Sequence, residues 1–480
     1  MGNQKSEAKT LERTLSLGAA LAIGVGTMVG AGIFVFPGIA AGYAGPAAMV
    51  SFAIGGIIAL MVAVSTAELA TAMPESGGAY FYVSRVFGPL AGFIIGIGQW
   101  IGLVFASSFY LSGFGQYAVD LIRQLGFHMG DPVVLLAFGT ALLLMVVNLF
   151  GTKGSGKLQN KVVVILTGLL SLLFGYGLLN AAGVLGKTAW PTPFAPNGIG
   201  PIFTTTALIF TSYLGFVQIA TVAGEIKNPK KNIPRALVGS VLIVAVLYVV
   251  ALFVTTSVLS TETLSKLGET AMVEVARALI GDLGALIVIT AGLLATLSSA
   301  NASVLSSSRA IYALSLDDLL PGNISKVNDR FGTPHIALIA VGVPIAGLTM
   351  LGRIEVLAEV ASLLHLVIYG MICISLITLR YKNPYWYNPS FTIPAFPILP
   401  IIGALASFGL IFLMEPISQI MGVGIFVLAL GWYSLFVPEK SFSPPLPSVV
   451  DRELVNPRIV MPLEIEDPKP FPRALLQAFT

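Results

Sequence analysis

Apolar residues along this chain fall in long blocks, at about 15–40, 46–71, 88–116, 132–150, 160–182, 200–222, 236–258, 282–306, 335–351, 356–379, 397–414 and 418–437, with short polar punctuation between them. A block of about 20 apolar residues has the length of a helix that crosses a bilayer. The pattern therefore predicts an all-α polytopic membrane protein with twelve transmembrane (TM) spans.

Two of these blocks are interrupted. The first, Leu17 to Val35, holds Gly18, Gly24, Gly26, Gly30 and Gly32, with Ala31 between the last two. Glycine inside a helix costs about 1 kcal/mol relative to alanine, and lipid offers no water to a freed backbone group, so such a cluster marks a wanted opening. Amides at the start of the second half-helix can hold a carboxylate. Carbonyls ending the first half can hold an ammonium or Na⁺. The sixth block, Ile202 to Ala223, breaks at Ser212, Tyr213, Leu214, Gly215 and Phe216, flanked by hydroxyls at Thr204 to Thr206 and Thr211. Five spans apart, the two breaks run in opposite directions, as an inverted repeat of five helices requires.

Composition agrees with a membrane setting. Of 480 residues 56% are hydrophobic and 10% charged, with a mean hydropathy of +0.89, where soluble domains carry roughly 25% charged residues. With the N-terminus in the cytoplasm, sixteen Lys and Arg outside the tail fall on the inner side and five on the outer. This positive-inside bias predicts a multi-pass protein of the cell inner (plasma) membrane with both termini cytoplasmic. The net charge of +3 is thus an orientation signal and gives no case for nucleic-acid binding. The single cysteine, Cys373, lies within the tenth span, so no disulfide-linked partner subunit is expected. The histidines, His128, His335 and His365, are far apart, no metal site or cofactor motif is visible, and nothing reads as a βαβ unit.

Several motifs carry a family resemblance. They are Gly30-Ala31-Gly32-Ile33-Phe34; Ala67-Glu68-Leu69 with Met73-Pro74-Glu75-Ser76-Gly77-Gly78-Ala79-Tyr80; Gly224-Glu225-Ile226-Lys227-Asn228-Pro229; and Ser308-Arg309-Ala310-Ile311-Tyr312 with Asp318-Leu319-Leu320-Pro321. In this order, from about Leu15 to Pro438, the chain resembles the amino acid–polyamine–organocation (APC) superfamily, in its cationic-amino-acid-transporter-like branch. The resemblance implies a LeuT-like fold, a 5+5 inverted repeat plus two extra helices, with amino-acid transport by alternating access. It puts the substrate carboxylate on the amides of Gly30, Ala31 and Gly32, and the ammonium on carbonyls near Met28, Thr211 and Leu214. Phe216 becomes a candidate aromatic lid.

Where many members have an acidic residue after the second break, this chain has Val217 and Gln218. A cationic side chain in a dry site needs a buried carboxylate, so neutral amino acids are favoured. The coupling ion stays open among Na⁺, H⁺ and exchange without an ion. Proton-coupled members carry a lysine in mid-span 5, where this chain has Leu166 and Thr167, with Lys161 about one and a half turns earlier. A sodium site could draw on Thr296, Ser298, Ser299, Asn301 and Ser303 of span 8 with the carbonyls of Gly26 and Val29.

Glu225 is a candidate cytoplasmic gate paired with Lys227 or Arg235, or a solvated helix end; His365 either titrates or bonds a neighbour. The expected division is a cytoplasmic segment 1–14, a first repeat 15–182, an outer loop 183–199, a second repeat 200–382, spans 11 and 12 over 397–437, and a cytoplasmic tail 438–480. Spans 11 and 12 pack on the bundle or on a second copy in a homodimer. The tail holds nine prolines between Pro438 and Pro472 and reads either as disordered or as the start of a domain resembling universal stress proteins. A receptor with a transporter fold, sensing an amino acid without net transport, is the alternative function.

Overall fold

The computed structural model describes residues 13–74, 77–127, 130, 132–150, 155–185, 190–328 and 330–437, the side chains of Ala31 and 155–160 excepted. The readings made for the tail and for the first twelve residues lie outside them. In chain order the helices are α1 Leu17–Met28, α2 Ala31–Phe34, α3 Phe36–Ala44, α4 Ala48–Ala72, α5 Gly78–Phe87, α6 Pro89–Gln124, α7 Val133–Leu149, α8 Ser155–Ala181 and α9 Gly200–Ile209. There follow α10 Val217–Thr221, α11 Pro229–Val258, α12 Thr261–Leu267, α13 Ala271–Ile280, α14 Asp282–Leu316, α15 His335–Thr349, α16 Ile354–Lys382, α17 Ile398–Ile411 and α18 Pro416–Phe436. A 3₁₀ segment, Phe210–Phe216, joins α9 to α10.

Among the described residues no strand forms, and eight helical stretches are long and apolar enough to cross a membrane. Shorter apolar helices are α1, α7, α15 and α17. The outer surface is itself apolar: Phe412 is 80% exposed and Leu435 77%, while Glu68 is 0% exposed. This inverts the water-soluble pattern, as expected where lipid is the solvent.

Local chemistry sets the helix ends. Ser16 Oγ accepts from the Ala19 N–H at 3.3 Å and starts α1, and proline at a first position, which gives up no needed donor, starts α6, α11 and α18. The apolar blocks understate several helices. α6 runs on to Gln124, its last turn braced by Asp120 and Arg123 three residues apart, and α14 runs on to Leu316. The short helices α5, α12 and α13 were not expected from the pattern, because they are only 10, 7 and 10 residues long.

One arrangement occurs twice. α5, of 10 residues, ends on Gly88 at φ 87°, ψ −176° and leads straight into the 36-residue α6. α13, also of 10 residues, ends on Gly281 at φ 83°, ψ −165° and leads into the 35-residue α14. Only glycine adopts such a corner cheaply. α6 packs on α14, α4 on α11, and α7 on α15, so helices in corresponding halves of the chain face each other.

Candidate functional site

The glycine-rich block does break. The α1 ladder closes with the Val29 N–H on the Val25 carbonyl at 2.7 Å, Gly30 bends, and helix resumes at Ala31. Glycine is needed here for space. A Cβ on Gly30 would overlap Ser299 Oγ on α14, and one on Gly32 would overlap the Tyr248 hydroxyl and stand 2.9 Å from Ser212 Cβ. The second interruption is tighter than an open break. Phe210–Phe216 winds as 3₁₀, whose different hydrogen-bond spacing shifts its carbonyls away from α-helical partners. Gly215 brings this segment against the first break, where a Cβ would sit 2.7 Å from Thr27 Cβ and 2.8 Å from the Met28 nitrogen.

Two tyrosines reach the freed carbonyls. The Tyr248 hydroxyl, on α11, donates to the Met28 carbonyl at 2.5 Å and reaches the Ser212 carbonyl at 3.2 Å. The Tyr369 hydroxyl, on α16, donates to the Leu214 carbonyl at 3.3 Å. Tyr110 of α6 is buried as well, at 2% exposure. The carbonyls of Met28 and Leu214 are thus held by phenols in this state. Phe216 is wholly buried with its ring centre 5.2 Å from that of Tyr369. These tyrosines carry no mark in the sequence, since nothing in their spacing aims them at a break.

Several polar groups here lack a partner among the described residues. They are Thr211 Oγ1, Ser212 Oγ and Gln218 Nε2, all nine-tenths or more buried. Gln218 Oε1 accepts from the Thr27 hydroxyl at 3.2 Å, joining the two interrupted segments. Buried polar groups without partners are few in native proteins and call for an explanation; a ligand supplies one. Residues 17–44 and 200–222 contain no charged side chain.

Of the candidate ion ligands, Ser299 donates to the Gly26 carbonyl at 3.3 Å, and Val29 is 2% exposed. Ser298 does not join them; one position along the helix, it is half-buried on the adjacent face. Ser303, a turn further on, points a buried hydroxyl without a partner. Thr167 lines a groove between α8 and α11 with Ser171 and Leu247, while Leu166 enters the core at 4% exposure.

Each end of the broken helix makes a contact with the second half of the chain. Beyond the break, Gly38 of α3 lies against the Gly268 carbonyl between α12 and α13. At the other end the Leu15 N–H donates to the Glu225 carbonyl at 2.9 Å, and the Lys227 N–H to the Leu15 carbonyl at 2.8 Å. The expected ion pair of Glu225 with Lys227 or Arg235 is not formed; the contact is a backbone bridge, because the 3₁₀ turn Ala223–Glu225 aims main-chain groups, not the carboxylate, at Leu15. The buried ion pair lies elsewhere, on Glu68 of α4. Its carboxylate accepts from Arg380 Nε and Nη2, each at 2.6 Å, from the Tyr387 hydroxyl at 2.8 Å and from the Ile393 N–H at 2.7 Å. It ties α4 to the inner end of α16 and to the segment leading to α17. A cavity of about 520 Å³ between α8, α13 and α14 is lined by Leu169, Leu173, Leu279 and Ile287, and offers little to orient a zwitterion.

Residues 15–436 match the family described as Amino acid permease. The chain belongs to that family, within the APC superfamily. Among its relatives, the methylthioribose transporter of Bacillus subtilis is 30% identical over 83% of the chain and 88% of its own length. The branched-chain amino acid permease BcaP of the same organism is 29% identical over 78% and 82%. Its serine/threonine exchanger SteT is 28% identical over 84% and 91%. The protein is a multi-pass membrane protein of a transporter family.

Proposed function

We propose that the protein is a secondary active carrier of neutral amino acids that works by alternating access on a LeuT-like frame. Its twelve apolar helical stretches form a 5+5 inverted repeat with two added helices, and the twin arrangement of α5 and α6 against α13 and α14 supports that symmetry. The observation that carries the reading is the set of buried groups without a partner among the described residues, Thr211, Ser212 and Gln218, on a segment that packs against the glycine break and, like it, has no charged residue of its own. Amides of Gly30, Ala31 and Gly32 take the carboxylate. The ammonium displaces the Tyr248 hydroxyl from the Met28 carbonyl and spreads toward Thr211 and Leu214. Phe216 and Tyr369 bound the side-chain space, and since neither interrupted segment carries a charged residue, a neutral side chain fits where a cation would lie unpaired.

The chain sits in the cell membrane with its termini in the cytoplasm, as its Lys and Arg distribution supports. A second reading, a hydroxylated neutral cargo, draws on the Tyr248 hydroxyl already held by these carbonyls and on the relative named for methylthioribose. The test is uptake into proteoliposomes of labelled leucine, serine, arginine and methylthioribose, each alone. Uptake of leucine or serine over arginine is expected. Preference for arginine overturns the neutral reading, uptake of methylthioribose alone favours the second, and binding without uptake makes the protein a receptor.

A further inference from the structure

His365 sits inside α16, 4% exposed, and has no part in the substrate contacts above. Its Nδ1 lies 2.8 Å from the Ala361 carbonyl. A carbonyl can only accept, so Nδ1 carries the hydrogen and Nε2 presents its lone pair. No hydrogen bond to Nε2 is made by any described residue.

Neighbouring residues give the ring room and continue its polarity along the helix. On α6 a Cβ at Gly102 would stand 2.7 Å from Cε1 and 2.8 Å from Nδ1, so a bare stretch of backbone makes room for it. Three residues before it on α16, Ser362 has a buried hydroxyl without a partner. Four residues after it comes Tyr369, 6.1 Å away between ring centres, whose hydroxyl is on the Leu214 carbonyl. A polar file thus runs along α16 from Ser362 through His365 to the interrupted segment.

Charge is scarce around it. On the elements packed against α16 the charged or titratable groups are Glu68 of α4; Tyr80, Tyr82 and Arg85 of α5; Tyr110, Tyr117, Asp120 and Arg123 of α6; Tyr213 of the 3₁₀ segment; and Tyr433 of α18. On α16 itself they are Glu355, Glu359, Tyr369, Cys373, Arg380, Tyr381 and Lys382. Only Tyr369 makes ring contact with the imidazole, and none bonds or ion-pairs to it among the described residues. The charged residues of α8 are Lys157 and Lys161, both within its first two turns, so no ammonium stands in mid-helix there.

We propose that His365 is the proton-binding site that couples transport to a proton gradient. The proposal rests on the carrier reading. A proton from water on one side joins the Nε2 lone pair and later leaves to water on the other, one positive charge moving per cycle. In this structure the described residues offer the imidazolium no second acceptor, which disfavours it there. Protonation therefore biases the protein toward a state in which water reaches the ring, and the shift passes through Tyr369 to the Leu214 carbonyl.

The test uses the parent protein, His365→Gln and His365→Asn in proteoliposomes, with a mixture of the twenty ¹⁴C-labelled amino acids as probe. Counterflow against the same mixture inside measures the carrier alone; uptake into empty vesicles under an acid-outside gradient measures coupling. For one proton per solute, a gradient of one pH unit supports about tenfold accumulation. That is expected of the parent, while both variants keep counterflow within about twofold and lose accumulation. The Asn amide can still donate to the Ala361 carbonyl, so recovery of accumulation in that variant would make the histidine structural and overturn the proposal. So would a parent whose accumulation ignores the pH gradient. Absence of counterflow in the parent would instead remove the amino-acid carrier reading, and this one with it.

Discussion

Arg380→Met is expected to be among the most damaging substitutions in the chain although it lies away from the broken helices. Glu68 is 0% exposed and its partner side chain 22% exposed. Removing the guanidinium strands a carboxylate that water cannot reach, which costs about 3–5 kcal/mol for a buried pair. Glu68→Gln removes the buried charge itself and leaves a cation that can turn to water, so its cost falls to about 1–2 kcal/mol. The double variant Glu68→Gln/Arg380→Met buries no charge and should be more stable than Arg380→Met alone. The assay is the apparent unfolding midpoint in detergent, followed by the monodisperse fraction after heating. At about 2 °C per kcal/mol for a large domain, Arg380→Met should fall by roughly 6–10 °C and Glu68→Gln by roughly 2–4 °C. Equal losses in the two single variants, or a double variant less stable than Arg380→Met, would refute the reasoning.

Other expectations can be checked with the same preparations. Gly30→Val drives a branched side chain into Ser299, and overpacking of about 1–3 kcal/mol at the break should cut substrate affinity about 5- to 150-fold, read by binding to the purified protein. Cysteines at Leu15 and Ile226, in a Cys373→Ala background, should form a disulfide across the backbone bridge and stop uptake until a reductant is added. Tyr387→Phe removes a donor from the Glu68 carboxylate and should cost about 1.5–3 kcal/mol of stability. Burial, then the charge of Glu68, pushes the Tyr387 phenol well above its ordinary 10.0, so this contribution is full below about pH 10 and fades as pH rises beyond it, which a melt series from about pH 6 to 11 would trace.

The sequence by itself determined the class of the protein and the places where its helices open. Blocks of apolar residues need no partner to say that lipid surrounds them, and the run Gly30-Ala31-Gly32 marks a break because the cost of glycine is local. The motif order fixed the family for the same reason, being a property of the chain alone. Tertiary structure decided what fills those openings. Tyr248 and Tyr369 reach the carbonyls of Met28 and Leu214 from helices distant in sequence, and no periodicity records such an aim. Ser299 rather than Ser298 faces the break because one residue of helix turns a side chain by about 100°, a choice only packing makes. Glu68 stands in the sequence only as part of a motif in the second apolar block, and its partners, Arg380, Tyr387 and the Ile393 amide, lie more than 300 positions away. Contacts of that separation depend on how helices are arranged, and that arrangement is set by the summed packing of all of them, not by any one stretch.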